Sequence, residues 1–400
     1  MARIPANSDK SVTEPAVSNP VLTDATTLGE VLDVLQAQVS LEMAGDYQPQ
    51  SLFEVLLHAA SHASSLEQSS EVLKDAPSGN TVRYHLNKLD DVKKLEDQLN
   101  AALAARLPGR LSGTSQRMAI DLNLIPYYGT PSEAETPYII RSQAKEGTCS
   151  FYAYATAYVI ARGKRITLAL HAVRRDETMV AVLTHLFDRL STLNVGIKRL
   201  YLDRGFFSVP VIRWLQACDI PFLMPVIVRG KQGGTRALVN QKRTYKTTYT
   251  MHSPEYGSVR FDVWVVGTYQ MGRRGRHGVE YLPFTVYKVP LRLRALPDDY
   301  RQRFGIECSY RQKNLCRIRT STKNPATRLL YVGIAFLLVN LWTFMIWAYV
   351  SLPRPGGRRL FPELFPLRTM LQFLAQAIER HLGLITQICL PIPAGGSGRL

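Results

Sequence analysis

The sequence predicts an α/β protein with a helical segment in front and a block of short strands inserted towards the end of its layered core. Three observations predict this. Apolar runs of strand length alternate with a helical period between residues 115 and 228. Residues 229–290 carry only short β-type runs separated by Gly-rich turns, and residues 26–106 keep helical periodicity throughout.

Taken in order, residues 1–25 are rich in Ser, Pro, Thr and Asn without any period and read as a flexible tail. In the helical segment 26–106, Leu28, Val31, Leu32 and Leu35 mark one apolar stripe and Phe53, Leu56, Leu57 and Ala60 another. Residues 65–89 read as two helices joined by a Pro-Ser-Gly-Asn turn. That pattern fits a helix-turn-helix offering residues 81–89 to DNA, and equally a plain helical hairpin. A linker follows at 107–114. MAIDLNLIP (118–126) is a strand interrupted by Asp121, and 149–160 with 165–173 form a hairpin around Arg162, Gly163 and Lys164. A helix over 177–193, a strand over 197–203 ending on Asp203, a short helix at 209–217 and a strand at 221–228 complete the run. Consecutive strands followed by strand–helix–strand alternation describe a ribonuclease-H-like layer, formed by 115–228 and 291–350 around the β-rich insertion 229–290. Residues 351–400 are expected to be a C-terminal helical region.

The net charge of +17 is unevenly spread. Residues 1–100 hold 7 Lys/Arg against 15 Asp/Glu, and the remainder holds 42 against 17. A basic excess confined to one region suits a phosphate backbone or an anionic membrane surface. The composition, with 46% hydrophobic residues, excludes a disordered or fibrous chain. Five widely spaced cysteines (Cys149, Cys218, Cys308, Cys316, Cys389) form no CxxC pair and no Cys/His zinc spacing. Their odd number points to a reduced compartment. With no apolar signal run at the N-terminus, a cytoplasmic location is expected.

Asp121 is a charge within an apolar strand, a costly placement unless something binds it. Asp203 ends a strand where a βα turn would expose it, the usual edge for ligands in open α/β sheets. Each alone reads more readily as a side chain capping the next helix. The segment YRQRFGIECSYRQKN (300–314) adds a third acid. On one continuous helix, Tyr300, Arg303, Glu307, Arg311 and Asn314 fall within roughly 40° of Glu307, so an acid stands among two arginines, a tyrosine and an amide. A solvated ion-pair stripe would look similar, but a lone Glu amid such positive charge suits a metal, with the arginines on phosphates.

These residues resemble the DDE transposases of bacterial and archaeal insertion sequences, specifically the insertion-sequence-four-like group related to the Tn-five transposase. The group's signature is Tyr, two residues, Arg, three residues, Glu, six residues, Lys. Tyr300, Arg303 and Glu307 match it, while the Lys position holds Asn314, with Lys313 one residue early. Asp121 and the segment YLDRGFFS (201–208) resemble the surroundings of the family's first two acids, and GIAFLLVNLW (333–342) its following apolar helix. The resemblance covers roughly residues 115–350. It implies catalytic and metal-binding roles for Asp121, Asp203 and Glu307, and DNA contacts from Tyr300, Arg303 and Arg311, with Lys313 the weaker candidate for the missing lysine. It further implies two Mg²⁺ ions, with Mn²⁺ as an alternative, and cut-and-paste transposition of DNA by a homodimer acting on paired terminal repeats and target DNA. The chain would be nucleoid-associated, with no stable membrane association.

Three carboxylates suit this chemistry because two divalent ions about 3.5–4 Å apart serve both ends of an in-line phosphodiester displacement and need several hard anionic ligands. Arg273, Arg274 and Arg276, in a Gly-rich turn of the insertion, are candidates for DNA-backbone contact. Trp264 suits either stacking on a displaced base or, preferably, packing inside the β block. His171 reads as a satisfied polar side chain. Two rival readings remain. Residues 329–352 form 24 uncharged residues, about 36 Å as a helix and long enough to span a membrane. A buried core helix accounts for them and leaves the acids explained, so it is preferred. The other rival is a non-catalytic DNA-binding protein or decayed transposase.

Overall fold

The computed structural model describes residues 20–43, 47–161, 164–271 and 277–388. Five helices come first: α1 (Asp24–Gln38), α2 (Pro49–Ser61), α3 (Leu66–Val72), α4 (Gly79–Leu86) and α5 (Val92–Ala104). Local chemistry sets most of their starts. Thr23, Ser65, Ser78 and Asp91 each accept, through the side chain, a backbone N–H three residues on. Pro49, at the first turn of α2, loses nothing by lacking an N–H.

The strands follow as β1 (Thr114–Pro126), β2 (Ile139–Lys145), β3 (Thr148–Ala161) and β4 (Lys164–Val173). Then come α6 (Met179–Thr192), β5 (Val195–Tyr201), α7 (Val209–Ala217), β6 (Phe222–Pro225) and the short α8 (Arg236–Asn240). Three longer strands, β7 (Tyr245–Ser253), β8 (Gly257–Met271) and β9 (His277–Tyr287), complete one sheet of nine. Its order is β2-β3-β1-β5-β6-β9-β8-β7, with β4 also paired to β3. β1, β5 and β6 are mutually parallel and the other pairings are antiparallel. Because β9 bonds to β6, the strands read from the sequence as an insertion extend the central sheet. The β3–β4 turn at 162–163 lies outside the described residues.

After the sheet come α9 (Leu296–Arg301), α10 (Phe304–Leu315) and the 25-residue α11 (Pro325–Tyr349). The segment beyond 350, expected to be helical, opens with a hairpin of β10 (Ser351–Arg354) and β11 (Gly357–Leu360) before α12 (Leu367–Leu382). Gly356 turns it with φ 77°, a left-handed conformation that a periodicity count does not register.

Alternation along the strands divides the apolar residues between two faces. Ala153, Ala155 and Ala157 of β3 pack beneath α6 and α7, with Leu183, Leu186, Ile212 and Leu215. Tyr152 and Tyr154 turn to the opposite face and join α1, α2, α5, α11 and α12 in one large core. A third cluster holds Ala119, Tyr158, Tyr201, Trp264, Phe284 and Ile306 beneath α9 and α10. The apolar helix α11 is the spine of the large core, and 83% of its most apolar stretch is buried inside the protein. Its length is therefore explained by core packing. Where α11 passes α5, a Cβ on Gly333 would stand 2.6 Å from the Leu99 methyls, so glycine permits the approach.

β4 has an outer edge, and two asparagines close it. Asn340 of α11 accepts from the Thr167 N–H at 2.9 Å and donates to the Thr167 carbonyl at 2.8 Å. Asn100 of α5 does the same for Leu170, at 2.9 and 2.8 Å. Each amide mimics one step of a missing strand, which satisfies backbone groups that would otherwise be buried unpaired.

Candidate active site

β1 and β5 run parallel with Ala119 opposite Tyr201. Asp121 and Asp203 each stand two residues further on, so the period-two alternation sends both carboxylates to the face covered by α10. Asp203 caps a short 3-10 turn, its Oδ1 accepting from Gly205 N–H at 2.8 Å. Asp121 Oδ1 accepts from the Leu122 N–H at 2.9 Å. Glu307 lies in the first turn of α10, where the helix N-terminus favours a negative charge.

The three acids meet at Arg303. Its guanidinium reaches Glu307 Oε1 at 2.9 Å, Asp121 Oδ2 at 3.3 Å and Asp203 Oδ2 at 3.8 Å. Arg303 is 9% exposed. Burial pushes the Asp121 carboxyl up to about 6, Arg303 opposes that rise, and the charges of Asp203 and Glu307 add to it. The Arg303 guanidinium is itself held more basic than usual by the surrounding Tyr300 and acids, against its burial.

Two tyrosines fix the acids in place. Tyr300 Oη donates to the Leu202 carbonyl at 3.0 Å, one residue before Asp203. Tyr310 Oη donates to the Asp121 carbonyl at 3.1 Å and lies 2.7 Å from Thr156 Oγ1, on the residue opposite Asp121 in β3. Behind them Arg199 of β5 bonds Asp299 of α9 at 2.6 Å, and Tyr201 Oη donates to the same carboxylate at 2.8 Å. This buried network ties the strand leading to Asp203 to the helix leading to Arg303.

The structure alters several expectations about individual residues. The single helix over 300–314 is instead two, α9 and α10, joined by i→i−3 bonds (Arg303 N to Tyr300 O, Gly305 N to Gln302 O, Ile306 N to Arg303 O). That tighter turn brings Arg303 under the acids and gives Tyr300 a strand-end contact in place of a shared helical face. Arg311 is exposed on α10, one turn past Glu307. Lys313, read as a DNA contact, is 3% exposed, with Nζ 5.7 Å from the Phe336 ring of α11. Burial, aided by Arg317, lowers its ammonium to about 8. The long helix α11 covers that side of α10. Arg273, Arg274 and Arg276 lie outside the described residues. Trp264 is 8% exposed, packs with Phe284 and carries Lys246 Nζ 3.8 Å from its ring. His171 is bonded on both nitrogens, to Glu96 and Glu177, each at 2.9 Å.

Sequence reading missed Tyr310, Thr156 and the Arg199–Tyr201–Asp299 network. The signal for Tyr310 was its position three residues after Glu307, on the same helical side. The others depend on strand register and could not be read from one segment alone.

A sheet carrying two aspartates on neighbouring parallel strands, with a helical glutamate closing over them, defines a class of nucleic-acid-cutting enzymes built on a ribonuclease-H-like layer. The chain belongs to the transposase DDE domain family, whose profile matches residues 113–341. It is a transposase, an enzyme acting on DNA. Among solved structures it is similar to the piggyBac transposase in a synaptic complex with hairpin DNA, at a TM-score of 0.52 and 10% identity. That likeness covers 90% of this chain and 79% of the other, and it speaks for the fold. No curated protein sequence matches the chain. DDE transposases depend on divalent metal, and the site fits that need. Its hard-oxygen donors are three carboxylates that already gather around one cation, the guanidinium of Arg303.

Proposed function

We propose that the chain is an insertion-sequence-four-like transposase that cuts at the terminal repeats of its own element and joins the freed ends to target DNA, with Asp121, Asp203 and Glu307 as its catalytic acids. The supporting observation is the meeting of these three carboxylates within 4 Å of one guanidinium, from two strands and a helix. Asp121, Asp203 and Glu307 would hold the divalent ions, Mg²⁺ by preference and Mn²⁺ as an alternative. When bound, these ions supply an activated oxygen nucleophile and a stabilised leaving oxygen.

The chain's own residues do the rest. Tyr310 and Tyr300 hold the backbone beside Asp121 and Asp203, so both carboxylates keep their aim as charge accumulates nearby. Arg303 provides fixed positive charge among the acids and lies where a DNA phosphate would be drawn. Arg311, exposed one turn beyond, offers a planar fork for a phosphate. Arg273, Arg274 and Arg276 remain proposed backbone contacts. The basic remainder of the chain would give salt-sensitive affinity for DNA. A homodimer on paired ends, a hairpin at the cut end, and a nucleoid location belong to the same reading.

The test is incubation with a duplex carrying the element's terminal repeats, with and without Mg²⁺, at matched DNA occupancy. Cleavage is expected with Mg²⁺ alone, lost in Asp121→Asn, Asp203→Asn and Glu307→Gln, and reduced about tenfold or more in Arg311→Ala. Metal-dependent cleavage that survives in any of the three acid variants would remove that residue from the site.

A further inference from the structure

Away from the acids, α2 and α12 pack against each other with an unusual group between them. His58 and His62 stand four residues apart, so both rings leave the same side of α2. Their Nε2 atoms turn to one oxygen, Oε1 of Glu379 on α12, at 3.4 and 3.6 Å. All three ligand atoms lie within 4.8 Å of one another.

The outer nitrogens of the two rings are already engaged. His62 Nδ1 is 3.2 Å from the His58 carbonyl, which can only accept, so the proton sits on Nδ1. In the neutral ring the Nε2 lone pair therefore faces a carboxylate. His58 Nδ1 lies 3.0 Å from Ser69 Oγ, which in turn is 3.1 Å from Ser64 Oγ. His58 is 3% exposed. The Nε2 lone pair of His62, and that of His58 when Ser69 Oγ accepts from its Nδ1, face one carboxylate, an arrangement that a cation between them satisfies.

The two nitrogen–oxygen distances, 3.4 and 3.6 Å, are nearer to a metal-bridged spacing than to a closed ion pair. A charge-assisted imidazolium–carboxylate hydrogen bond closes to about 2.7–2.9 Å. Two ligand atoms bound at about 2.0–2.1 Å in a tetrahedron stand roughly 3.4 Å apart. The pair at His171 makes the contrast within the same protein. There both nitrogens sit 2.9 Å from Glu96 and Glu177, so both carry protons and the ring is an ion-pair partner rather than a ligand. Glu54, one turn before His58, is occupied by His381 Nδ1 at 2.9 Å and Gln50 at 2.9 Å. The ligand set is therefore two histidines and one glutamate. His62 is 45% exposed and Glu379 24% exposed, so the open side faces solvent, near Gln372 and Gln376.

We propose that His58, His62 and Glu379 form a metal site, separate from the three catalytic acids, that takes one Zn²⁺ and fastens α2 to α12. Two histidines and a glutamate are a recurrent zinc set with room for a water. The partners are 321 and 317 residues apart in sequence (Glu379 to His58 and His62), so the ion would close most of the chain into a loop.

The experiment uses the full chain carrying Asp121→Asn and Glu307→Gln, so that the catalytic acids contribute little binding. Chelator-stripped protein is titrated with Zn²⁺ in competition with a chromophoric chelator, and metal content and melting temperature are measured. The expected result is one equivalent bound, with a rise in melting temperature. His62→Ala and Glu379→Gln, both partly exposed, should each weaken binding roughly tenfold or more while keeping the metal-free melting temperature. Substituted Co²⁺ should give the visible absorption of a tetrahedral site, lost in both variants. Binding that is absent, insensitive to His62→Ala and Glu379→Gln, or removed by His185→Ala at the other cluster would overturn the proposal.

Discussion

Asp121 is an acid inside a strand, raised to about 6 by burial and by two neighbouring acids, with Arg303 opposing them. Function and stability should therefore pull apart there. Asp121→Asn keeps the shape and removes a buried charge, so cleavage should fall by about a thousandfold or more while the metal-free melting temperature holds or rises. Activity and thermal melts on one preparation check this, and a clear drop in melting temperature would contradict it. His171 makes a second residue-scale case. Burial works against its charge, but the hydrogen bonds it donates to Glu177 and Glu96 outweigh it and raise the ring to about 9. Besides these, its ring stacks on His185 at 4.5 Å. With the folded value above the unfolded one, the stabilisation is complete below about pH 6.5 and disappears as pH climbs through 9. Wild type should thus lose about 2–3 kcal/mol more than His171→Asn between pH 6.5 and 10. Urea unfolding at the two pH values measures it, and parallel losses would exclude the ion pair as the source.

At the level of elements, the structure hangs on polar contacts made inside apolar surroundings. Asn340→Leu would leave the Thr167 N–H and carbonyl buried without partners, at a cost of about 2–4 kcal/mol despite the more apolar side chain. Denaturant unfolding reads this directly, and a stabilised variant would refute the edge-closing role. Asp299→Ala strands the Arg199 guanidinium, 4% exposed, and should cost about 3–5 kcal/mol. A double variant with Arg199→Met should recover much of that loss. The same polar contacts explain what could be read from the chain alone. Strand lengths, α6, α7, the acid within β1 and the acid just past β5 follow from period and composition. The break between α9 and α10 does not, because a count at 100° per residue assumes the i→i−4 ladder that this turn abandons. Lys313 reads as a surface cation from its own segment because α11, packed from elsewhere in the chain, lies against it. Asn100 and Asn340 looked like polar residues in helices, and their purpose appears only with β4 alongside.

For the whole molecule, one core joins the first helices to the last. Residues of α1, α2, α5, α11 and α12 share it with one face of the sheet. The segment 113–341 matched by the family profile contains neither α1–α5 nor α12. Expressed by itself, that segment should lack a cooperative unfolding transition and expose apolar surface to a hydrophobic dye, whereas the full chain should melt in one step. A stable, cooperatively melting 113–341 fragment would show the surrounding helices to be a separate unit.

That shared core has a consequence for synthesis. The ribosome delivers α1 to α5 at least 220 residues before α11, and β4 some 170 residues before Asn340. Through that interval the nascent chain holds a half-built core and an open strand edge, the two features most prone to wrong pairing. Folding must then wait for contacts between distant parts of the chain, which slows it. Truncated messages or stalled translation before residue 325 should yield chains that aggregate, and the cell's holding chaperones would be needed for most of the time the protein takes to be made.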